Sequence, residues 1–233
     1  MVDRPDRAMV ITPHPDDAEI GCGGTIARWI KEGTEVFYVL CTNGDKGTSD
    51  PDITSEQLAA VREKEQAEAA RVLGVKEVIY LRYPDGELED TSEFRGQLVK
   101  AIRTHKPDMV FCPDPFRRSF YLHRDHRMCG QVTLDAVFPY ARDRLHYNDH
   151  IKEGLEPHKV GELMFWGTEE PDTFVDITDT IQMKIDSLKK HVSQVSGDNP
   201  DEVDEFIKAN AKRVGDRAEF PYAEAFRRIE LRR

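Results

Sequence analysis

The stretch Ile11-Thr-Pro-His-Pro-Asp-Asp-Ala-Glu-Ile-Gly-Cys-Gly-Gly-Thr25 joins a short apolar run to a glycine cluster through one histidine and two adjacent aspartates. Two prolines flank His14 and disfavour helical backbone dihedrals beside it. They predict a stiff, non-helical turn that carries the histidine and both aspartates. The glycines that follow permit close backbone approach, and a helix is predicted to begin near Thr25. The predicted order is therefore strand, polar loop, helix.

The polar residues of this loop have the chemistry of a metal centre. His14 and Asp17 are three residues apart on the turn, so an imidazole and a carboxylate can converge on one divalent cation. The neighbouring carboxylate, Asp16, is then free to handle a proton. Folding alone does not require a histidine and two aspartates in this loop, so we predict a metal site at the end of the first strand.

Apolar runs and helical patterns alternate along the first half of the chain. Residues 8–11, 36–41, 78–81 and 109–112 are short β-prone runs, and residues 25–32, 55–73 and 92–105 have helical spacing. Four such repeats with short connections predict an α/β fold with a doubly wound, mostly parallel sheet. Ligands of such sheets bind beyond the carboxyl ends of the strands, so we expect the chemistry in the loops that follow them.

The remainder of the chain is less regular. A long loop at residues 113–125 precedes a predicted helix at about 126–137, and the polar segment 142–159 is interpreted as a flap over the site. Further strands are predicted at 163–166 and 174–177, helices at 178–192 and 200–214, and a tail at 225–229 that packs back. The chain has 233 residues without an evident linker or repeat, so we expect one domain over residues 1–233.

Composition argues against several classes of protein. The chain has 33 Lys and Arg against 44 Asp and Glu, a formal net charge of -11, and nucleic-acid affinity comes from clustered basic residues. The longest apolar run, residues 36–41, is far too short to span a bilayer, and the first eight residues lack an apolar signal core. We therefore expect a soluble, cytoplasmic protein without a nucleic-acid partner. The four widely spread cysteines predict buried, reduced thiols.

A second polar cluster, His123-Arg-Asp-His126, follows the fourth predicted strand. Parallel topology can bring the ends of strands one and four together, so His14, Asp17 and His126 are predicted to form a three-ligand site. Two imidazoles and one carboxylate leave a coordination position open for water, which is the pattern of catalytic zinc, although such ligands also accept iron. The alternative is that His14 caps its turn and that His123 and His126 are surface residues.

Six segments carry a resemblance to a known family: Pro13-His-Pro-Asp-Asp17, Glu19-Ile-Gly-Cys-Gly-Gly24, Thr42-Asn-Gly-Asp-Lys-Gly47, Arg62-Glu-Lys-Glu65, Pro84-Asp-Gly86 and His123-Arg-Asp-His126. Together they resemble the LmbE/PIG-L family of zinc-dependent N-deacetylases, and the match is weaker in the last third of the chain. The resemblance implies a Rossmann-like, three-layer αβα fold with a mostly parallel sheet. It also implies a small N-acetylated sugar substrate, bound zinc and a homo-oligomer, often a trimer or hexamer.

The resemblance also implies roles for the residues of the first cluster. It places zinc at the positions matching His14, Asp17 and His126, and it makes Asp16 the base. Amide hydrolysis needs a nucleophile better than neutral water, and zinc lowers the pKa of a bound water towards neutrality. Asp16 can accept the proton of that water and later deliver it to the leaving amine. The alternative for Asp16 is a helix N-cap or a solvent-facing carboxylate.

The second cluster supplies the assisting group in this interpretation. His123 is expected to stabilise the tetrahedral oxyanion, with Asp125 favouring its charged form. Asp125 has an alternative role as a helix cap. The aromatic residues of the preceding loop, Phe116, Phe120 and Tyr121, form either a platform for a sugar face or a buried loop anchor.

Three further residues have candidate roles. Arg62 resembles the family's substrate-anchoring arginine, but a salt bridge to Glu63 or Glu65 is the alternative. Asp85 matches a position that binds a sugar hydroxyl in the family, although Pro-Asp-Gly is also ordinary turn chemistry. His191 lies in a segment that resembles a C-terminal family signature, so it either approaches an active site, including that of a neighbouring subunit, or is structural.

The function predicted from these residues is zinc-dependent removal of acetyl from an N-acetylated amino sugar. Two other classes are weighed against it. A metal-dependent phosphatase or phosphodiesterase could use the same activated water, but it calls for more metal ligands or more basic residues near the phosphate. A non-catalytic nucleotide-binding module would explain the glycines, but it has no use for His14 and the two aspartates.

Overall fold

The computed structural model describes residues 3–195 and 201–231, which form a seven-stranded sheet flanked by helices. The strand order is β3-β2-β1-β4-β5-β7-β6. The strands are β1 (Arg7–Thr12), β2 (Glu35–Thr42), β3 (Glu77–Tyr83), β4 (Met109–Pro113), β5 (Glu162–Trp166), β6 (Thr173–Asp176) and β7 (Ala223–Glu230). Within the described ranges, only β7 is antiparallel to its neighbours, β5 and β6. The α/β fold with a mostly parallel sheet is therefore confirmed.

Most helices lie where the apolar spacing predicts them, with a few shifted ends, but residues 148–152 form a short helix in the segment predicted to be irregular. They are α1 (Asp17–Lys31), α2 (Ser55–Leu73), α3 (Ser92–His105), α4 (Arg124–Asp135), α5 (Asn148–Lys152), α6 (Ile181–Leu188), α7 (Val192–Val195) and α8 (Asp201–Gly215). α2 has the predicted bounds because Thr54 and Gln57 form a capping box at its start and Gly74, with φ +87°, ends it. The predicted start of the last helix at residue 200 lies outside the described residues.

The first helix begins eight residues earlier than predicted, and this expectation was wrong. α1 starts at Asp17 rather than near Thr25, so the glycine cluster lies inside the helix. A Cβ at Gly21 would lie 2.6 Å from the Trp166 ring, and one at Gly24 would lie 2.7 Å from Ile177. Glycine costs stability in a helix, but here it permits close packing against β5 and the segment after β6. Tertiary packing outweighs local propensity at these positions.

Residues 142–159 do not form a flap, and this interpretation was also wrong. The segment lies against α3, where the fully buried Arg103 donates hydrogen bonds to the carbonyl oxygens of residues 140, 141, 143, 146 and 147. At its end, His158 contacts the carbonyl of Pro107, just before the amino end of β4. An irregular chain exposes carbonyls that need donors, and one guanidinium supplies them.

The C-terminal elements complete the sheet rather than forming a separate layer. The tail predicted to pack back is β7, which is inserted between β5 and β6. All four cysteines are buried and free, as predicted. In the described part of the chain, no helix is long and apolar enough to cross a membrane. The single-domain assignment stays a prediction.

Candidate active site

The sheet topology brings the two polar clusters of the sequence together. β1 pairs in parallel with β4, so the loop after β1 lies beside the loop that leads from β4 into α4. The first loop carries His14 and ends at Asp17, the first residue of α1, and His126 is in the first turn of α4. The loop after β3, which carries Asp85, also reaches His14. The site therefore lies beyond the carboxyl ends of the strands, as the fold class predicts.

Three of these side chains form a compact group, which we call the ligand cluster: His14, Asp17 and His126. One donor atom from each lies within 4.8 Å of the others. Oδ2 of Asp17 is 3.0 Å from Nδ1 of His14 and 3.1 Å from Nε2 of His126. All three residues are buried. The interpretation of His126 as a surface residue is therefore wrong.

The ligand cluster fits a divalent cation. Neither ring nitrogen of His126 has a hydrogen-bond partner within residues 3–195 and 201–231, although Nε2 is close to Asp17. Buried polar atoms are usually paired, so an unpaired imidazole nitrogen beside a carboxylate has the geometry of two ligands that share an ion. Although burial opposes it, His126 and His14 hold the pKa of Asp17 far below its ordinary value. Asp17 is thus ionised, as a metal ligand must be.

The other nitrogen of His14 is held by two carboxylates. Nε2 lies 3.1 Å from Oδ2 of Asp125 and 3.1 Å from Oδ1 of Asp85. Although burial opposes it, Asp125 and Asp17 raise the pKa of His14 well above its ordinary value. A carboxylate on the second ring nitrogen is the usual support of a metal-binding histidine, because it fixes the ring and increases ligand basicity. Nδ1 is then the nitrogen that faces Asp17.

Asp125 connects the ligand cluster to the loop after β3. Its Oδ2 accepts the backbone N–H of Gly86 at 2.6 Å, and its Oδ1 accepts that of Leu88 at 3.2 Å. Its carboxylate does not cap α4; the N-cap residue is His123, whose Nδ1 accepts the backbone N–H of Asp125 at 3.2 Å. The helix-cap alternative for Asp125 is therefore wrong, and the carboxylate acts on His14.

His123 is positioned as a neutral donor. Since Nδ1 accepts a backbone N–H, the proton of the neutral ring is on Nε2. Burial and the neighbouring His14 lower the pKa of His123, although Asp125 opposes them. Asp125 favours the charged ring, as expected, but burial and His14 outweigh its effect. A neutral ring still offers its Nε2–H to an oxygen that gains negative charge.

Asp16 has an unusual backbone and an unusual carboxyl group. Its φ is +95°, which is rare for a residue with a side chain and typical of strained functional positions. Among the described residues its side chain makes no N-cap hydrogen bond, so the capping alternative is not supported. Burial and the charge of Asp17 raise the pKa of Asp16 to about 7, although Arg62 opposes them. A pKa near neutrality suits a group that both accepts and delivers a proton.

Arg62 is buried at the base of the same loop. Its guanidinium donates to the carbonyl of Pro15 at 2.7 Å, to the carbonyl of Gly44 at 2.9 Å and to Oδ2 of Asp16 at 3.2 Å. The alternative of a salt bridge to a glutamate of α2 is wrong, because those side chains bind Arg82 and Ser193 instead. Arg62 therefore links the loops after β1 and β2.

Asp85 lies in a turn, and its side chain faces the ligand cluster. The backbone N–H of Glu87 approaches the carbonyl of Pro84 at 3.3 Å, so a turn is present. The side chain of Asp85 nevertheless points to His14, and only 9% of the residue is exposed. Its carboxylate therefore lies at the edge of the ligand cluster.

The aromatic loop before α4 forms part of the rim. Tyr121 packs edge-on against His126 with 4.9 Å between ring centroids, and it stacks on His123 at 6.2 Å. Phe116 and Phe120 are 50% and 66% exposed, so the buried-anchor alternative is wrong for them. Sequence patterns alone did not distinguish Tyr121 from its aromatic neighbours. Its position two residues before His123 is the signal that could have distinguished it.

His191 is packed inside its own chain. The residue is fully buried, and its Nε2 lies 3.4 Å from Oε2 of Glu19. This contact favours the structural alternative over an approach to a neighbouring subunit's site. The glutamate belongs to α1, two residues after Asp17.

Comparison with known proteins gives a consistent picture. Residues 9–137 match the PIG-L family, described as GlcNAc-PI de-N-acetylase. The diacetylchitobiose deacetylase of Thermococcus kodakarensis is 35% identical over 221 residues, covering 95% of this chain and 82% of the relative. The structure of the N,N'-diacetylchitobiose deacetylase of Pyrococcus horikoshii has a TM-score of 0.91 at 36% identity, covering 97% of this chain and 84% of that one.

A more distant neighbour shows what the fold alone does not decide. The 4-carboxy-2-hydroxymuconate hydratase GalB of Pseudomonas putida has a TM-score of 0.83 at 20% identity, with 98% of both chains covered. At that identity the similarity concerns the fold only. The reaction must therefore be argued from the site residues.

Proposed function

Because the chain belongs to the PIG-L family of GlcNAc-PI de-N-acetylases, we propose that it is a zinc-dependent hydrolase that removes the acetyl group from an N-acetylated amino sugar. The observation that carries this proposal is the buried ligand cluster of His14, Asp17 and His126, with one proton-handling group on each side. Homology to named deacetylases of N-acetylated sugars supports the reaction class.

The ligand cluster would hold the metal through one nitrogen of each histidine and one oxygen of Asp17. When bound, zinc supplies Lewis acidity, which makes a water molecule nucleophilic near neutral pH and polarises the amide carbonyl. Asp125 keeps His14 oriented for this task through its contact with Nε2. The metal could also be iron or another divalent ion, since nitrogen and oxygen ligands accept several.

The proton transfers are assigned to two residues. Asp16 accepts the proton of the attacking water and delivers it to the leaving nitrogen, for which a pKa of about 7 is well matched. His123 donates its Nε2–H to the carbonyl oxygen as that oxygen becomes negative. These roles need no further charged group to complete the hydrolysis of an amide.

Substrate binding is assigned to the rim of the site. Asp85 would accept a hydrogen bond from a sugar hydroxyl, because its carboxylate lies at the open edge of the ligand cluster. Arg62 is also assigned to substrate binding, as the family resemblance implies, although it lies at the base of the site rather than at its rim. Tyr121 and its aromatic neighbours would contact the apolar face of the sugar ring.

The assembly of the protein, its location in the cell and the identity of its metal are also proposals. We assign the working assembly to a homo-oligomer, a trimer or a hexamer, as the family resemblance implies, and we assign the site of action to the cytoplasm. Light scattering of the purified protein tests the first assignment, and cell fractionation tests the second. Elemental analysis of protein purified without added metal tests whether the resident ion is zinc.

Release of acetate tests the reaction itself. The zinc-loaded protein and its Asp16→Asn variant would be incubated side by side with N-acetylglucosamine, its glycosides and chito-oligosaccharides. We expect acetate from at least one sugar with the wild type and a loss of about a hundredfold with the variant. Equal rates from both proteins would remove Asp16 from the mechanism. No acetate from any N-acetylated sugar, with zinc bound, would overturn the proposed function.

A further inference from the structure

Two side chains of α2 hold opposite sides of one peptide bond in the loop after β1. Arg62 donates to the carbonyl oxygen of Pro15 at 2.7 Å, and Oε1 of Gln66 accepts the backbone N–H of Asp16 at 3.3 Å. These two atoms belong to the same peptide unit, and the two side chains are one helical turn apart on the same face of α2. We call this arrangement the peptide clamp.

The clamped peptide precedes the strained residue of the site. Asp16 has a φ of +95°, a conformation that residues with a side chain rarely adopt. This dihedral describes rotation about the bond that leaves the clamped nitrogen, so it depends on how the peptide unit is held. With the peptide fixed, the carboxyl group of Asp16 is directed to Arg62, while that of Asp17 is directed into the ligand cluster.

The orientation of the Gln66 amide is itself determined by a buried partner. Its Nε2 donates to Oε1 of Glu19 at 3.0 Å, and both residues are fully buried. A carboxylate accepts hydrogen bonds and an amide NH₂ group donates them, so Glu19 requires the NH₂ of Gln66 on its own side. The amide oxygen must then face Asp16. His191, 3.4 Å from Glu19, closes this chain of buried groups.

From these contacts we propose that Gln66 is a positioning residue for hydrolysis, and that Glu19 sets its orientation. The inference rests on the proposed function, since it assigns the clamp to the placement of the Asp16 carboxyl group. Gln66 is not expected to touch substrate or metal. Its loss should misplace Asp16 by a fraction of an ångström or more, which lowers turnover without weakening the binding of sugar or metal.

A swap of the two polar groups tests the clamp. In the double variant Gln66→Glu with Glu19→Gln, one carboxylate oxygen can still accept the Asp16 N–H, and the new amide can donate to the other. Charge and atom count are unchanged. We expect each single variant to lower kcat with KM and zinc affinity unchanged. For Gln66→Glu the loss should be about tenfold to a hundredfold, because Glu19 repels the new carboxylate and displaces it from the Asp16 N–H. The double variant should recover to within about threefold of the wild type.

A matched control separates positioning from simple stability. Ser187 is fully buried and its hydroxyl donates to the carbonyl of Ala69 on α2 at 2.9 Å, so Ser187→Ala also removes a buried hydrogen bond of this helix. It should lower the melting temperature and leave kcat unchanged. If Gln66→Glu does not fold, Gln66→Met replaces it as the variant that cannot accept the hydrogen bond. Wild-type kcat in the Gln66 variant, or no recovery in the swap, would overturn the inference.

Amide hydrogen exchange provides a measurement that does not depend on activity. The Asp16 N–H should exchange at least about tenfold faster in Gln66→Met than in the wild type, and Ser187→Ala should not change it. If the wild-type protein releases no acetate, the proposed function fails, but this exchange rate still decides whether the clamp exists. Unchanged exchange in Gln66→Met would show that Gln66 does not hold the peptide.

Discussion

Two buried polar clusters flank α1, and they differ in how their atoms are paired. Behind the helix, Lys184 and Glu224 form an ion pair at 2.5 Å. Glu224 also accepts the backbone N–H groups of Gly24 and Thr25, and Lys184 donates to the carbonyl of Ile20. In front of the helix, the ligand cluster has an imidazole without a hydrogen-bond partner in the described chain, beside a residue with a strained backbone.

The difference separates a structural cluster from a functional one. Buried charges are tolerated when each is paired and hydrogen-bonded, which is the condition of the Lys184–Glu224 pair. Unpaired polar atoms cost stability and persist where another group, such as a metal or a substrate, completes them. Perturbing the first cluster should therefore change folding, and perturbing the second should change metal binding and turnover.

The largest expected effect comes from breaking the paired cluster. Lys184→Met would leave the Glu224 carboxylate buried without its partner, at a cost of about 3–5 kcal/mol in the free energy of unfolding. Denaturant titration measures this cost. The companion variant Lys184→Met with Glu224→Gln should recover much of it, because the uncompensated charge is gone. A wild-type denaturation midpoint for Lys184→Met would contradict the structural role.

Removing a metal ligand should have the next largest effect. Loss of a residue that only supports a ligand typically lowers metal affinity by about 10- to 100-fold, so Asp17→Ala should lower zinc affinity by more than about a hundredfold. Competition with a chromogenic chelator measures the affinity. Full zinc occupancy in this variant would exclude Asp17 from the ligand cluster.

Asp16→Asn should keep the metal and lose turnover by about a hundredfold.

The same Asp16→Asn variant should also change how the stability of the fold depends on pH. The folded protein holds the Asp16 proton up to about pH 7, whereas the unfolded chain releases it near its ordinary value of 3.8. Asp16 therefore disfavours folding increasingly as the pH rises through this interval, and the asparagine removes that contribution. Melting of metal-free protein from pH 4 to 8 tests the difference.

The smallest of these effects concerns the support of His14. Asp125→Asn weakens the contact to Nε2 of His14, so zinc affinity should fall by about 10- to 100-fold. Asp114→Asn is the matched control. Asp114 is also a buried carboxylate that follows β4, but its Oδ1 accepts the N–H of Phe116 and does not contact His14. Equal zinc affinities for the two variants would show that Asp125 does not act through His14.

The convergence of His14, Asp17 and His126 could be predicted from the sequence because it depends on few contacts, and their role as metal ligands stays a prediction. A histidine and an aspartate on one loop, and a second histidine after the neighbouring strand, follow from motif spacing and parallel topology alone. The start of α1 was missed because the prolines and glycines favour a loop locally. Only contacts with Trp166 and Ile177, far away in sequence, make helical glycines favourable.

Other features depend on pairings between distant residues that no local pattern reveals. The segment 142–159 has the composition of a flap, but Arg103 holds its beginning on α3. The clamp on Asp16 joins α2 to the loop after β1, and spacing along α2 does not indicate which face meets that loop. Side-chain roles that arise from one long-range hydrogen bond therefore had to come from the structure.

The position of β7 between β5 and β6 has a consequence for the order in which the chain can fold during synthesis. Residues 7–135, which contain the ligand cluster, emerge first and include the four strands at the β3 side of the sheet. β6 has no described strand neighbour except β7, so until residues 223–230 have left the ribosome β6 is unpaired and β5 is the open edge of the sheet on this side. The nascent protein therefore has an open sheet edge, and a chaperone or a second chain can compete for it before the last strand arrives.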